Sequence, residues 1–156
     1  NKLSPENYAF LSELPTTVDK GGYLLVHGSP RDPIWEYIID VGSAKKSFLS
    51  FGFRIAFVGH THVPVIFEYV EDGKRVQLLW PSWEEPISVQ GRRLIINPGS
   101  VGQPRDGDPR ASYGILDTEA QTWEVHRLAY PVEDTQDRMR EEGLPQRMID
   151  RLILGR

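Results

Sequence analysis

Apolar residues fall along the chain in short blocks whose period changes more than once. Ser4 before Pro5 reads as a helix N-cap with proline in the first helical position. Tyr8, Leu11 and Leu14 then recur at helical spacing, which predicts a short helix ending near Pro15. Residues 16–19 and 22–27 read as two strands around Lys20-Gly21-Gly22. The second is an uninterrupted apolar run, so it is expected to be buried on both faces. A proline-punctuated loop leads into residues 34–39, and Ser43 is placed to cap a helix over residues 44–51. Residues 54–58 return as a buried strand. Alternating, aromatic-rich segments follow at residues 65–71, 76–80, 87–90 and 93–97. Asp72-Gly73 and Gln90-Gly91 are hairpin signals between them, so this half is expected to be antiparallel. Residues 112–117 and 122–128 form a further strand pair turning at 118–121. Residues 133–142 and 146–154 read as helices separated by Gly143-Leu144-Pro145. The pattern is α/β in class, with no repeat, low-complexity tract or linker.

A chain of 156 residues is enough for a single buried core and too short for two ordinary ones. With 39% hydrophobic and 26% charged residues it can bury enough apolar surface to escape the disordered class. The 22 acidic against 18 basic side chains give a net charge of −4, without the basic excess that phosphate-backbone binding requires. Extended nucleic-acid binding is therefore not expected, while a phosphate-bearing small molecule in a local pocket is compatible with this charge. The absence of cysteine removes disulfides, thiolate metal sites and cysteine nucleophiles, and leaves His, Asp, Glu and Asn as metal ligands. It also fits a reducing compartment, so a cytoplasmic location is expected. The apolar runs fall far short of the roughly 20 residues that span a bilayer, and residues 1–6 carry no apolar signal core; neither a membrane span nor a secretory leader is expected.

Three of the four histidines stand where a strand ends. His27 follows Tyr23-Leu24-Leu25-Val26 and precedes Gly28-Ser29-Pro30. His60 and His62 follow Ile55-Ala56-Phe57-Val58-Gly59. In α/β sheets the loops at the carboxyl ends of strands form the ligand crevice, and neutral imidazole suits Zn, Mn, Fe or Ni. Alternation along a strict strand would aim His60 and His62 at one metal, whereas a loop could divide them between two. His126 lies between Glu124 and Arg127 on an alternating strand and reads as an ordinary satisfied polar group. A third strand end carries Asn97-Pro98-Gly99-Ser100-Val101-Gly102-Gln103-Pro104-Arg105. Its glycines permit close backbone approach to an anion, and Arg105 is a forked donor suited to phosphate oxygens. Asp106-Gly107-Asp108-Pro109 beyond it reads as a plain turn. Trp80, Trp83 and Tyr113 sit on strands, where aromatic side chains serve core and interface packing, and are left out of the site.

The order His27-Gly28-Ser29, Gly59-His60-Thr61-His62-Val63-Pro64, Asn97-Pro98-Gly99-Ser100-Val101-Gly102 resembles the C-terminal half of calcineurin-like metallophosphoesterases, in particular their small bacterial and archaeal phosphodiesterase branch. The tail, Glu142-Gly143-Leu144-Pro145 leading into Arg151-Leu152-Ile153, resembles the closing helix of that branch. The resemblance implies part of a four-layer αββα sandwich. It implies two divalent metal ions (Mn, Fe, Zn, Ni or Mg) and a metal-bridging hydroxide that attacks phosphorus in line with the leaving oxygen. By the same resemblance His27 and His60 ligate one metal and His62 the other. The Asn-Pro-Gly-Ser loop supports the site, with Arg105 contacting substrate. The implied substrate is a small-molecule or nucleotide phosphodiester or phosphomonoester.

The family's first half carries an Asp-X-His, a Gly-Asp-X-X-Asp and a Gly-Asn-His motif, none of which occurs here. Three histidines are too few to hold two metals, because a bridging carboxylate supplies charge and fixes the separation. The 156 residues are therefore expected to be the C-terminal portion of a single, longer metallophosphoesterase domain and to be inactive alone. Without the first strands a long sheet edge would lie open, to be covered by the missing half or, in a homo-oligomer, by a second copy. The competing reading is a non-catalytic protein-binding scaffold on the same fold, like the retromer subunit that has lost key histidines; here all three remain. A histidine-triad hydrolase would need another spaced His, and position 64 is Pro.

Overall fold

Alternation of large apolar side chains and Pro/Gly punctuation divide the chain into thirteen elements among residues 3–72 and 74–156, which the computed structural model describes. They are α1 (Pro5–Glu13), β1 (Thr17–Lys20), β2 (Tyr23–Val26), α2 (Val41–Ser50), β3 (Ile55–Phe57), β4 (Val65–Val70), β5 (Arg75–Leu79), β6 (Ile87–Ser88), β7 (Leu94–Asn97), β8 (Ala111–Asp117), β9 (Thr122–Leu128), α3 (Val132–Glu141) and α4 (Gln146–Leu154). Six strands form one sheet in the order β1-β2-β3-β7-β4-β5, and three form a second in the order β6-β9-β8.

Period-two alternation distributes the central strands between two cores. Ala56, Val65, Phe67 and Ile95 face a cluster with Ala44 and Phe48 of α2. Ile55, Ile66, Leu94 and Ile96 face Trp123 and Val125 of the second sheet. The large sheet is thus covered by a helix on one face and by the small sheet on the other, the layered arrangement that two-sided apolar strands demand. The C-terminal end of α2 is held by Arg93, whose Nη2 donates to the carbonyls of Phe48 (2.5 Å) and Phe51 (2.6 Å). These are terminal carbonyls that a helix cannot satisfy itself.

Several local expectations are corrected. Asp40, not Ser43, is the N-cap of α2; Ser43 occupies the third helical position and completes a reciprocal capping box. β2 is not buried on both faces, since Leu25 is 44% exposed. The face it shares with Tyr23 reaches past the small sheet, which has too few strands to cover it. Gln90-Gly91 turns the chain but makes no hairpin: β6 pairs with β9, and β7 crosses to the other sheet between β3 and β4. β7 is antiparallel to β4, as expected, but parallel to β3. β4 and β5 do form an antiparallel hairpin, although Gly73 of its turn, like Asn1 and Lys2, lies outside the described residues. α1 forms from Ser4 as expected, with none of its side chains buried.

Leu25, Phe57 and Pro98 line two open hollows of about 550 and 330 Å3. The smaller one continues to Gly114 and Leu116 of β8, the outer strand of the small sheet.

Candidate functional site

β2, β3 and β7 are adjacent and parallel, with Leu24, Ala56 and Ile95 in one lateral row, so their carboxyl ends lie along a single rim of the large sheet. His27 is the first residue after β2, His60 and His62 lie in the turn after β3, and Asn97 is the last residue of β7. The topology therefore brings together the three segments that the sequence marks as chemistry-bearing.

His27 Nε2 lies 2.9 Å from His60 Nδ1, with the rings edge to face. The Gly59 N–H donates to the His27 carbonyl at 2.8 Å, tying the two loops at the backbone. Tyr37 stacks on the His60 ring, with centroids 3.8 Å apart. The His62 Nδ1–H donates to the Gln103 carbonyl at 2.7 Å, which fixes the tautomer and leaves Nε2 with its lone pair. His60 and His62 thus have different partners, the one an imidazole and the other a backbone carbonyl.

Both His60 and His62 adopt φ of 63°, the left-handed region that non-glycine residues rarely enter. Each costs about 1–3 kcal/mol of backbone strain, which persists only where surroundings over-determine it, and such positions cluster at functional sites. Asn97 supplies that constraint. Its buried carboxamide donates to the Gly59 carbonyl (2.7 Å) and Thr61 Oγ1 (2.8 Å) and accepts from the Gly99 N–H (2.9 Å). Gly99, with φ of 90°, sits where a Cβ would meet Ser112 Oγ at 2.7 Å and Pro64 Cγ at 2.8 Å, so only glycine lets the third loop close over the histidine turn.

Burial, and then the nearby His60, hold the His27 imidazole below its ordinary pKa. Burial also lowers His62, against the raising effect of its bond to Gln103, with Arg105, His27 and His60 lowering it further. Both rings are therefore neutral at neutral pH, the form that binds a metal. Arg105 lies beside His62: its N–H donates to the His62 carbonyl (3.2 Å), and its Nη2 to Gln103 Oε1 (2.9 Å). Its buried Nε has no hydrogen-bond partner among the described residues.

The donors fit part of a metal shell. Imidazole nitrogens stand roughly 2.0–2.1 Å from a bound divalent metal, and two in adjacent positions at a right angle are then about 3 Å apart. The 2.9 Å between His27 and His60 matches that spacing as well as it matches a hydrogen bond between neutral rings. Among the described residues, however, no group of three or more His, Cys, Asp or Glu side chains gathers to hold a metal.

Tyr37 lies outside the segments that the sequence marks; Asn97 and Gln103 stand in the third strand-end loop, and what the fold adds is the set of bonds made by the Asn97 carboxamide and the Gln103 carbonyl. A backbone acceptor leaves no trace in residue type, but an Asn closing an apolar strand is a readable signal. His126 lies apart, its Nε2 2.9 Å from Glu124 and its ring stacked on Tyr113. Asp106 and Asp108 are more than a plain turn: Arg127 binds the Asp106 carboxylate, and Arg110 binds that of Asp108 at 2.6 Å.

Known proteins share this fold. A metallophosphoesterase from Sphaerobacter thermophilus superposes with a TM-score of 0.93 at 46% identity, over 99% of this chain and 64% of that one. A hypothetical protein from Pyrococcus horikoshii shares the fold at a TM-score of 0.71 and 21% identity, over 97% of this chain and 55% of its own. An uncharacterised protein of Methanocaldococcus jannaschii is 35% identical over 159 residues, 99% of this chain and 62% of that protein. The chain spans about three-fifths of the length of these relatives. Residues 4–121 match the calcineurin-like phosphoesterase superfamily domain, most of the chain, including all three histidines and the Asn97 loop, and on that match the chain belongs to this superfamily.

Proposed function

We propose that the chain forms part of a metal-dependent phosphoesterase that hydrolyses a small-molecule or nucleotide phosphoester at the rim shared by His27, His60 and His62. The observation that carries this reading is the convergence of His27 Nε2 and His60 Nδ1 at 2.9 Å on a turn whose two histidines are both held in the left-handed conformation. His27 and His60 hold one divalent ion, of Mn, Fe, Zn, Ni or Mg, and His62 holds a second through Nε2, oriented by its bond to Gln103. When bound, such a pair lowers the pKa of a water and neutralises charge on phosphoryl oxygens. Arg105, beside His62 and with an unpartnered Nε, binds a phosphoryl oxygen and so orients the ester.

The carboxylates that complete the shells come from chain beyond these 156 residues, a reading supported by the greater length of the relatives. The uncovered face around Leu25 and Phe57, beside the free edge of β8, is where further strands of such a protein would seat. The test is hydrolysis of a chromogenic phosphodiester by the full-length gene product with Mn²⁺. His62→Ala is expected to lower kcat about a hundredfold or more. Full activity in that variant would remove this site from the reaction, and a gene product that takes up no divalent metal would favour the scaffold reading.

A further inference from the structure

Immediately after His62 the chain passes through Val63 and Pro64 into β4, and Trp80, which follows β5, returns beside this turn with 69% of its surface exposed. The indole stands between two hollows. The larger, about 400 Å3, is lined by Val63, Pro64, Trp80, Pro81, Trp83 and Asp106. The smaller, about 160 Å3, is lined by Trp80 and Val63 together with Thr61 and Ile39 among others. Val63 and Trp80 belong to both, so the two hollows open side by side next to the histidine turn.

The larger hollow is electrically quiet. Asp106 is its one charged lining residue, and its carboxylate is already engaged by the Arg127 guanidinium. The same guanidinium lies 4.3 Å from the Trp83 ring centroid and holds that wall in place. Two indoles and two proline rings around a neutral space suit a flat, uncharged, unsaturated ring, which gains from stacking and from leaving water. A charged or strongly hydrated group would lose its solvation there without finding a partner.

We propose that Trp80 is the platform on which the planar ring of the phosphoester's alcohol moiety, a nucleobase or an aryl group, stacks, so that the site selects ring-bearing esters over ring-free ones. This rests on the phosphoesterase reading and narrows its substrate class. Trp80→Ala and Trp80→Phe variants of the full-length gene product, with Mn²⁺, are to be compared on 2′,3′-cyclic AMP, bis(p-nitrophenyl) phosphate and the ring-free diester glycerophosphoethanolamine. The preference in kcat/KM for ring-bearing over ring-free ester falls about tenfold in Trp80→Ala, through KM, and is largely kept in Trp80→Phe. The ring class that loses more identifies the natural group. An unchanged preference in Trp80→Ala, or an equal loss in Trp80→Phe, overturns the proposal. Should the wild type cleave none of the three, the phosphoesterase reading fails by itself, and equilibrium dialysis of adenosine decides for the slot. A dissociation constant about tenfold weaker in Trp80→Ala supports the platform, and one that does not change removes it.

Discussion

The carboxamide of Asn97 has no exposure to solvent and makes three hydrogen bonds, two given and one received, all to the loops that carry His60, His62 and Gly99. Truncation to alanine would leave the Gly59 carbonyl and the Gly99 N–H without these partners inside the protein and remove what offsets two left-handed histidines. Asn97→Ala is expected to lower stability by about 2–4 kcal/mol, measured as a shift in the urea midpoint, and to weaken Mn²⁺ binding although Asn97 itself is no ligand. A variant with unaltered midpoint and metal affinity would show the turn to be held by other means. The positions of His27, His60 and His62 are legible in the sequence because they follow apolar runs and stand among Gly and Pro residues that end those strands. Their different hydrogen-bond partners are not, since these depend on backbone angles at positions 60 and 62 that residue type alone argues against.

Among the elements, boundaries set by proline, glycine and capping residues were readable, and partner choice was not. Ser4-Pro5 and Gly143-Leu144-Pro145 mark real helix ends, whereas Gln90-Gly91 announces a reversal without saying that β7 crosses to another sheet. Pairing there is decided by Leu94, Ile95 and Ile96, which are buried on both faces and therefore belong in the centre of the larger sheet. Side chains reinforce that crossing. Glu68 on β4 accepts from Arg92 Nε (2.7 Å) and Nη2 (2.8 Å), just before β7, and from its cross-strand neighbour Gln77 (2.7 Å). The Arg92 guanidinium, against the opposing effect of burial and with help from Gln77, holds the Glu68 carboxyl below the ordinary glutamate range. A carboxyl whose pKa is lower folded than unfolded contributes stability above the unfolded pKa of about 4.3, and loses it as the pH falls through the folded value. Glu68→Gln is accordingly expected to cost about 1–2 kcal/mol at pH 7, and the gap to the wild type should close towards about pH 3. Urea midpoints at neutral and acidic pH check this, and a gap of constant size would assign the cost to packing rather than to the charge.

Among the described residues the molecule is lopsided: six strands in one sheet face three in the other, and Leu25 of β2 and the apolar side chains Tyr8, Phe10 and Leu11 of α1 are exposed. The α/β class and the histidine rim were legible in the chain, because both rest on apolar strands and their endings. How far the small sheet reaches was not, because it depends on which strands pair with β9, and residue type along the chain does not decide that. On this account the rim is half of a metal centre whose remaining ligands arrive with further chain, as the longer relatives suggest. Crystals of the full-length gene product grown with Mn²⁺ and measured at the manganese absorption edge test this most directly. Two anomalous peaks about 4 Å apart are expected, one in reach of both His27 Nε2 and His60 Nδ1 and the other in reach of His62 Nε2. No peak there, or manganese bound away from all three rings, would contradict the assignment.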